Sequence, residues 1–223
     1  MYGNIQSRNG ANAECRAEHK LDLLVGTQML AKGHDFPDVT LVGVIAADAG
    51  LAFPDFRSAE RTFQLLTQVA GRAGRGASPG RVVIQSHHPE NYALQCAQKQ
   101  DYQGFYNHEI EFRKLMGYPP FRSLIQILIS DPDLEKALRT AEKVADALRQ
   151  HAATIERHFR PHVLGPAAAP LEKLRGQYRI QILIKLHPET GGISVLQNCF
   201  EDLQRRKISS AKVHVDVDPL SLL

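Results

Sequence analysis

Short apolar runs alternate with helical patterns in the first half of the chain. Three runs of five or six residues predict strands: Leu21–Val25, Thr40–Ile45 and Arg81–Gln85. Continuous apolar runs are typical of strands that are buried on both faces of a parallel sheet. Between the last two runs, apolar residues recur at helical spacing from Ala59 to Ala70, and Ser58 is the predicted N-cap. This order predicts an α/β fold.

The second half of the chain has a different pattern. Residues 121–130 alternate between apolar and polar, as a half-buried strand does. A helix is predicted to begin at Pro132, with an apolar stripe formed by Leu134, Leu138, Ala141, Val144, Ala145 and Leu148. Further strands are predicted over His162–Leu164, Tyr178–Leu186 and Lys212–Val217, with a helix over 193–203. The resulting βαββαβ order is that of a ferredoxin-like α+β domain.

The two halves are joined by a predicted helix whose aromatic residues we expect to pack on one face. These are Tyr102, Phe105, Tyr106 and Phe112. The helix is expected to end before Gly117-Tyr118-Pro119-Pro120, because such a sequence is a stiff break in the chain. We therefore predict an α/β region over 1–100, a helical linker over 101–120 and the α+β domain over 121–223.

Composition narrows the class of protein. The chain is 43% hydrophobic and 23% charged, as ordinary folded proteins are. No run of 18 apolar residues and no signal peptide is present, so we expect no membrane association and a cytoplasmic location. The three cysteines are widely spaced, which excludes a disulfide framework and a zinc knuckle. His34, His87 and His88 lack acids or cysteines at ligand spacing, so we expect no metal site.

Charge is distributed unevenly, although the net charge is only +3. Five arginines, no lysine and one acid lie between residues 57 and 81, a pattern that favours bidentate contacts to phosphate or carboxylate over a solvated helix face. A second basic group, interleaved with an aromatic residue, suits single-stranded nucleic acid or an acidic peptide: Lys173, Arg175, Tyr178, Arg179 and Lys185. On the predicted strand Tyr178–Leu186, we expect Arg179 and Lys185 to share an exposed polar face and the isoleucines to form the core face. A merely solvated hairpin stays open as the alternative.

Two glycine-containing motifs carry the candidate chemistry. GTQMLAKGHD (26–35) follows the first predicted strand, and QVAGRAGR (68–75) ends the helix before the third. Paired arginines after glycines can neutralise the charge that spreads over phosphate oxygens during phosphoryl transfer. Together, the two motifs resemble motifs V and VI of superfamily 2 helicases.

The intervening sequence sharpens this resemblance. FPDVTLV (36–42), PDFRSAERTFQ (54–64), VVIQSHHPE (82–90), YPPF (118–121), LRGQYRIQILIK (174–185) and VDVDP (215–219) are similar to the primosomal protein N′ (PriA) family of replication-restart helicases. The resemblance implies that the chain is the C-terminal third of such a protein: most of a second RecA-like lobe, followed by the ferredoxin-like domain.

The resemblance also implies roles for individual residues. Arg72 and Arg75 would act on the γ-phosphate, with Gln68 positioning them or the attacking water. Gly33 and Asp35 would contact the nucleotide. The DNA backbone would meet Thr27 and Gln28.

The family's phosphate-binding loop, DExH box and zinc module are absent from this sequence. Binding of ATP and Mg²⁺ would therefore require a first lobe, and zinc would be bound only by the longer protein. We expect no ATPase activity from this chain alone. The implied function is an ATP-dependent 3′–5′ DNA helicase that restarts replication in the bacterial cytoplasm. Its implied partners are branched and single-stranded DNA, the acidic tail of single-stranded DNA-binding protein, and primosome proteins, with the chain a monomer. The alternatives are another fork-remodelling superfamily 2 translocase and a non-catalytic nucleic-acid-binding adaptor.

Overall fold

The computed structural model describes residues 22–27, 39–71, 73, 80–188, 197–198, 201 and 212–222. The chain divides into two compact units. The first comprises Met1–Asp48 and Arg61–Asp101, and the second comprises Ala49–Glu60 and Tyr102–Leu223. The helix that the sequence predicted as a linker is thus part of the second unit, together with a short segment from the first half of the chain.

The first unit contains a strand–helix–strand crossover. Strands β1 (Leu41–Val44) and β2 (Arg81–Ile84) pair in parallel, with Leu41 opposite Arg81. Helix α1 (Ser58–Ala70) lies between them in the chain and buries Phe63 and Leu66. The predicted strands Thr40–Ile45 and Arg81–Gln85 and their parallel pairing are confirmed, with β1 one residue shorter at each end and β2 one residue shorter at its carboxyl end. The expected burial on both faces is wrong, because exposed and half-buried residues alternate along both strands. Helix α2 (Tyr92–Lys99) follows and is capped by the Asn91 side chain, which accepts from the Ala93 N–H.

The strand predicted over Leu21–Val25 is wrong for residues 22–25, which the structure describes outside any sheet. Leu23 and Val25 are 73% and 80% exposed. An apolar run becomes a strand only where a neighbouring strand supplies ladder hydrogen bonds. None of the described strands pairs with this run.

The N-terminus of α1 is built differently from the predicted Ser58 cap. Ser58 is the first helical residue, and its hydroxyl donates to the Phe53 carbonyl at 2.9 Å. The Asp55 side chain instead accepts from the Arg57 N–H at 2.9 Å. The acid three residues upstream therefore makes the local side chain–backbone turn that leads into the helix.

Helix α3 (Tyr102–Met116) ends where the sequence predicted. Gly117 adopts φ +63°, and the N–H groups of Gly117 and Tyr118 donate to the carbonyls of Lys114 and Arg113. This is the Schellman pattern, which needs a left-handed residue that glycine supplies without strain. The predicted packing of the aromatic face is wrong in part: Phe105 is 4% exposed, but the other three aromatic residues, Tyr102, Tyr106 and Phe112, are 42–66% exposed.

The second unit is built on a four-stranded antiparallel sheet in the order β4-β5-β3-β6. Its strands are β3 (Ser123–Asp131), β4 (His162–Leu174), β5 (Gln177–Leu186) and β6 (Lys212–Val217). Helix α4 (Leu134–Ala153) connects β3 to β4. Of the helix predicted over 193–203, the structure describes residues 197, 198 and 201, all helical. The strand order is that of the predicted βαββαβ motif.

Helix α4 begins two residues later than predicted. Asp133 is its N-cap, and the Asp133 carboxylate accepts from the N–H groups of Glu135 and Lys136. The predicted apolar stripe is correct except at Leu138, which is 38% exposed, while Ala137 is fully buried in its place. The later start at Leu134 follows from the stronger cap, because an aspartate satisfies two free N–H groups that Pro132 could not.

One face of the sheet packs against α4 and forms the main core. The isoleucines of the two central strands are all buried there: Ile125, Ile127, Ile129, Ile180, Ile182 and Ile184. This confirms the prediction that the isoleucine face of β5 is the core. Because every second residue of a strand shares a face, the alternation in the sequence was enough to fix it.

The other face of the sheet is covered as well, which the sequence pattern did not predict. Leu124 and partly buried Leu183 pack against Phe56 and Leu222, which are far apart in the sequence. Gln126, also on this face, donates to the Gln181 side chain and the Leu222 carbonyl. Strand β3 is therefore buried on both faces, and the predicted half-buried character is wrong.

Strand β4 is much longer than the predicted His162–Leu164. It continues through two register shifts, between Leu164 and Ala167 and between Ala168 and Lys173. The irregular pairing explains why no period-2 pattern marks this strand, since bulged residues leave the alternation. In the described part of the chain, no helix is long and apolar enough to cross a membrane.

The core face of β5 gives a direct test of this fold. We expect Ile182→Ala to lower the free energy of unfolding by about 2–5 kcal/mol, because it removes a fully buried side chain from a packed core. Leu164→Ala, at a 45% exposed position on β4, should cost about 1 kcal/mol or less. Urea unfolding followed by circular dichroism measures both. Equal losses in the two variants would contradict the core assignment.

Candidate functional site

The candidate binding surface consists of Lys173, Arg175 and Tyr178, at the turn of the β4–β5 hairpin. Leu174 pairs with Gln177, which leaves Arg175 and Gly176 as a two-residue turn. Their φ values are +50° and +78°. This is the type I′ turn that matches the twist of antiparallel strands. The strands predicted over His162–Leu164 and Tyr178–Leu186 are thus parts of one continuous hairpin.

Arg175 holds an unfavourable backbone conformation at this tip. Left-handed φ costs a side chain such as arginine about 1–2 kcal/mol, and asparagine or glycine is the usual occupant. The Arg175 residue is exposed, and its side chain takes part in none of the hydrogen bonds or ion pairs that the described residues form. A non-glycine residue with a left-handed backbone often has a functional role, because asparagine or glycine would fit the turn with less strain. Arg175 is therefore a candidate binding residue.

Lys173 and Tyr178 form a cation–aromatic pair beside the turn. They lie opposite each other in the ladder, with the ammonium 4.3 Å from the ring centroid and 3.3 Å from the phenol oxygen. Tyr178 does not belong to the isoleucine core. The pair thus presents an aromatic surface and a positive charge together at the exposed end of the hairpin.

The side chain of Arg179 contacts the bulged part of β4 that precedes the turn. Between the pairs Ala168–Ile180 and Lys173–Tyr178, residues 169–172 of β4 lie opposite Arg179 alone. The Arg179 guanidinium donates to the Leu171 carbonyl at 3.4 Å. This hydrogen bond joins β5 to the bulged part of β4.

Lys185 lies outside this group, so the expected exposed polar face of β5 is wrong at this position. It is seven residues from Tyr178, about 23 Å along the strand, and only 7% exposed. The Lys185 ammonium donates to the Met116 carbonyl at 2.6 Å and lies 3.8 Å from the Tyr118 ring centroid. Burial, and then the charge of Arg122, lower the pKa of Lys185. This lysine ties the end of α3 to the sheet.

The helicase-like motifs are described only in part. Gln68 lies exposed in the last turn of α1, and Thr27 is exposed. The other predicted nucleotide and DNA contacts lie outside the described residues: Gln28, Gly33, Asp35, Arg72 and Arg75.

Acidic and histidine side chains gather at the carboxyl ends of β1 and β2. Asp48 accepts from the His87 N–H at 3.2 Å, and His88 Nδ1 lies 3.2 Å from a Glu90 oxygen. Although desolvation opposes it, hydrogen bonds from its own N–H and that of His87 lower the pKa of Asp48. This edge is where α/β proteins bind ligands. Among the described residues, no group of three or more potential ligands could hold a metal ion.

Sequence reasoning missed a third cluster, which joins Asp55 and Phe56 to the end of the chain. The Asp55 carboxylate accepts from the Ser221 hydroxyl at 3.1 Å and from the Leu222 N–H at 3.2 Å. Asp55 and Phe56 are 7% and 6% exposed. The only signal in the sequence was an aspartate next to a phenylalanine in PDFRS. That signal does not reveal the partners of Asp55, which lie more than 160 residues away in the sequence.

By its fold, the second unit is an α+β domain built on a four-stranded antiparallel sheet, and the turn of its β4–β5 hairpin carries a group of cations. Residues 114–220 match the family described as primosomal protein N C-terminal domain. The chain is 43% identical over 98% of its length to the replication restart protein PriA of Bacillus subtilis (strain 168). It is 42% identical over 90% of its length to the protein of that name from Synechocystis, and 41% over 92% to that from Treponema pallidum (strain Nichols).

The chain belongs to this primosomal protein N (PriA) family. It spans 27%, 23% and 30% of the length of these three relatives. The resemblance stated from the sequence motifs is confirmed.

The buried Lys185 predicts a pH effect on stability. While Lys185 is protonated, the folded state bears the cost of desolvating its charge, and this cost is relieved as pH rises from the lowered pKa towards 10.5. We expect the stability of the parent chain relative to Lys185→Met to increase over that window. The matched control is Lys143→Met, at an exposed position on α4. Urea unfolding at several pH values would contradict the assignment if the Lys185→Met difference stayed constant.

Proposed function

We propose that this chain is the C-terminal part of an ATP-dependent 3′–5′ DNA helicase that restarts replication at stalled or abandoned forks. The observation that carries the proposal is that the first residues of QVAGRAGR, Gln68–Ala70, form the last turn of α1, the helix that connects the parallel strands β1 and β2. Identity to proteins named replication restart protein PriA supports it. In this proposal the first unit is part of a second RecA-like lobe.

The proposed chemistry of this chain is the stabilisation of phosphoryl transfer. Arg72 and Arg75 would each place a guanidinium on the phosphate oxygens that gain charge in the transition state. Gln68, which the structure describes at the end of α1, would orient these arginines or the attacking water. Gly33 and Asp35 would contact the nucleotide. ATP is the substrate, and Mg²⁺ would be held by motifs that this sequence does not contain.

The proposed DNA contacts fall in two places. Thr27 and Gln28 would meet the backbone in the first unit. In the second, Lys173, Arg175 and Tyr178 offer two cations and an aromatic ring, which suit the phosphates and a base of single-stranded DNA. Arg179 adds charge from behind the turn, whereas Lys185 is removed from this surface by its burial.

The proposal extends to the partners and the setting of the longer protein. We infer that it acts on branched and single-stranded DNA as a monomer in the bacterial cytoplasm, with the acidic tail of single-stranded DNA-binding protein and primosome proteins as partners. The cationic hairpin supports an acidic peptide as a second ligand of the same surface, because carboxylates and phosphates are recognised by the same cations.

The arginine motif is tested in a protein that joins this chain to a first helicase lobe. We expect Arg72→Ala or Arg75→Ala to reduce ATP turnover by about 10³-fold or more, with little change in ATP affinity, because the arginines act in the transition state. Steady-state kinetics and nucleotide binding measure the two effects. This chain alone should show no DNA-stimulated hydrolysis. Near-normal turnover in both variants would rule out the proposed role of these arginines.

The hairpin is tested by a salt titration of labelled single-stranded DNA binding to this chain. With two to three charges neutralised, log affinity should fall with log salt at a slope of about −1.4 to −2. Arg175→Asn removes one charge while keeping a residue that the turn accepts, so the slope should become shallower by about 0.7 without loss of stability.

The matched control for this titration is Arg139→Gln, on the exposed face of α4. It removes an equal charge elsewhere in the same unit and should leave the slope unchanged. Equal effects of the two substitutions would show that net charge, and not the hairpin, determines binding. An acidic peptide should compete with DNA for the parent chain.

A further inference from the structure

The β4–β5 hairpin extends beyond the core of the second unit. The first buried residue of β5 is Ile180, which pairs with Ala168, and residues 171–176 beyond this pair are all exposed. The turn at Gly176 lies about 13 Å from Ile180 along the strand. The end of the hairpin is therefore long enough to enter a groove of another molecule.

Cations lie on both faces of this two-stranded ribbon. Lys173 and Tyr178 are opposite each other in the ladder and in contact, so they share one face. Arg179 follows Tyr178 on β5 and therefore lies on the other face, because successive side chains of a strand alternate. Its hydrogen bond to the Leu171 carbonyl, at 3.4 Å, uses only one of the N–H donors of the guanidinium. Arg175 lies between the two faces, at the turn.

This arrangement of charge fits a duplex better than a single strand. A sheet with its side chains is about 10 Å thick, so one extended backbone runs along one face of the ribbon and not the other. Duplex DNA presents a phosphate backbone on each side of a groove. Its major groove is about 12 Å wide and about 8.5 Å deep and admits a two-stranded β-ribbon. The hairpin matches this groove in thickness and in length.

The turn carries residue types that recognise base edges. Arg175 is held there by its left-handed backbone, and an arginine can donate two hydrogen bonds to a guanine in the major groove. Leu174 is 48% exposed, and an apolar side chain can contact the methyl group of thymine in the same groove. Glu172, the one acid in the sequence from 171 to 179, lies in the bulged part of β4.

We propose that the hairpin inserts into the major groove of duplex DNA, with Lys173 on one phosphate backbone, Arg179 on the other and Arg175 at the base edges. This inference rests on the proposed DNA-binding role of the hairpin and specifies how it holds duplex DNA. A single strand meets the Lys173–Tyr178 face and the turn, but not Arg179. In a branched substrate, the hairpin holds a duplex arm.

The test compares salt titrations of this chain with a labelled duplex and with a labelled single strand. We expect Arg179→Gln to make the slope of log affinity against log salt shallower by about 0.9 for the duplex and to leave the slope for the single strand unchanged. Lys173→Gln should make both slopes shallower. Arg179→Lys keeps a cation on the second face and should keep the parental duplex slope, which separates lost charge from lost folding.

The matched control is Arg139→Gln, at 73% side-chain exposure on α4, which should change neither slope. A second measurement locates the hairpin in the groove. Guanine N7 lies in the major groove, so we expect the parent chain to protect it from methylation by dimethyl sulfate, and Arg175→Asn to lose this protection.

The outcomes separate this inference from the proposed function. If Arg179→Gln changes the two slopes equally, or leaves the duplex slope unchanged, or if guanine N7 stays unprotected, insertion into the groove is wrong and the proposed DNA-binding role stands. If Lys173→Gln and Arg175→Asn alter binding to neither form of DNA, the hairpin does not bind DNA, and both the proposed role and this inference are wrong.

Discussion

The sheet of the second unit has two apolar faces, and both must be covered for the domain to fold. Helix α4 covers one face with a stripe of small and branched residues. On the other, Leu124 contacts Phe56 and Leu222, which come from positions far apart in the chain. A sheet with apolar residues on both faces needs two packing layers. Phe56 and Leu222 form part of this second layer, and burial of the second face of β3 depends on them.

This constraint links the segment before α1 to the C-terminal domain. Phe56 fills the second layer and Asp55 holds the tail that completes it. The same few residues lead directly into α1, so the packing of the domain and the start of that helix share their contacts. The family match over 114–220 does not include this segment, although the segment supplies part of the domain's core.

The sequence predicted those parts of the fold that local patterns determine. Alternation placed the isoleucines of β5 in the core, and Gly117 ended α3 where expected. The sequence patterns failed where residues far apart in the chain determine burial. Strand β3 has no exposed polar face because Phe56 and Leu222 cover its second face, and Lys185 is buried against Met116 and Tyr118. Strand β4 was missed because its bulges interrupt the period-2 pattern. Of the candidate site, the sequence identified the hairpin cations but not the turn that presents them.

We propose that this chain supplies the arginines that neutralise the charge on the γ-phosphate. A structure of the longer protein, with its first lobe, bound to ADP and aluminium fluoride would test this proposal. We expect a guanidinium nitrogen of Arg72 or Arg75 to lie about 2.7–2.9 Å from a fluoride that stands for an equatorial γ-phosphate oxygen. Guanidinium groups that both lie more than about 6 Å from the fluorides, beyond any direct contact, would contradict the proposed role of these arginines.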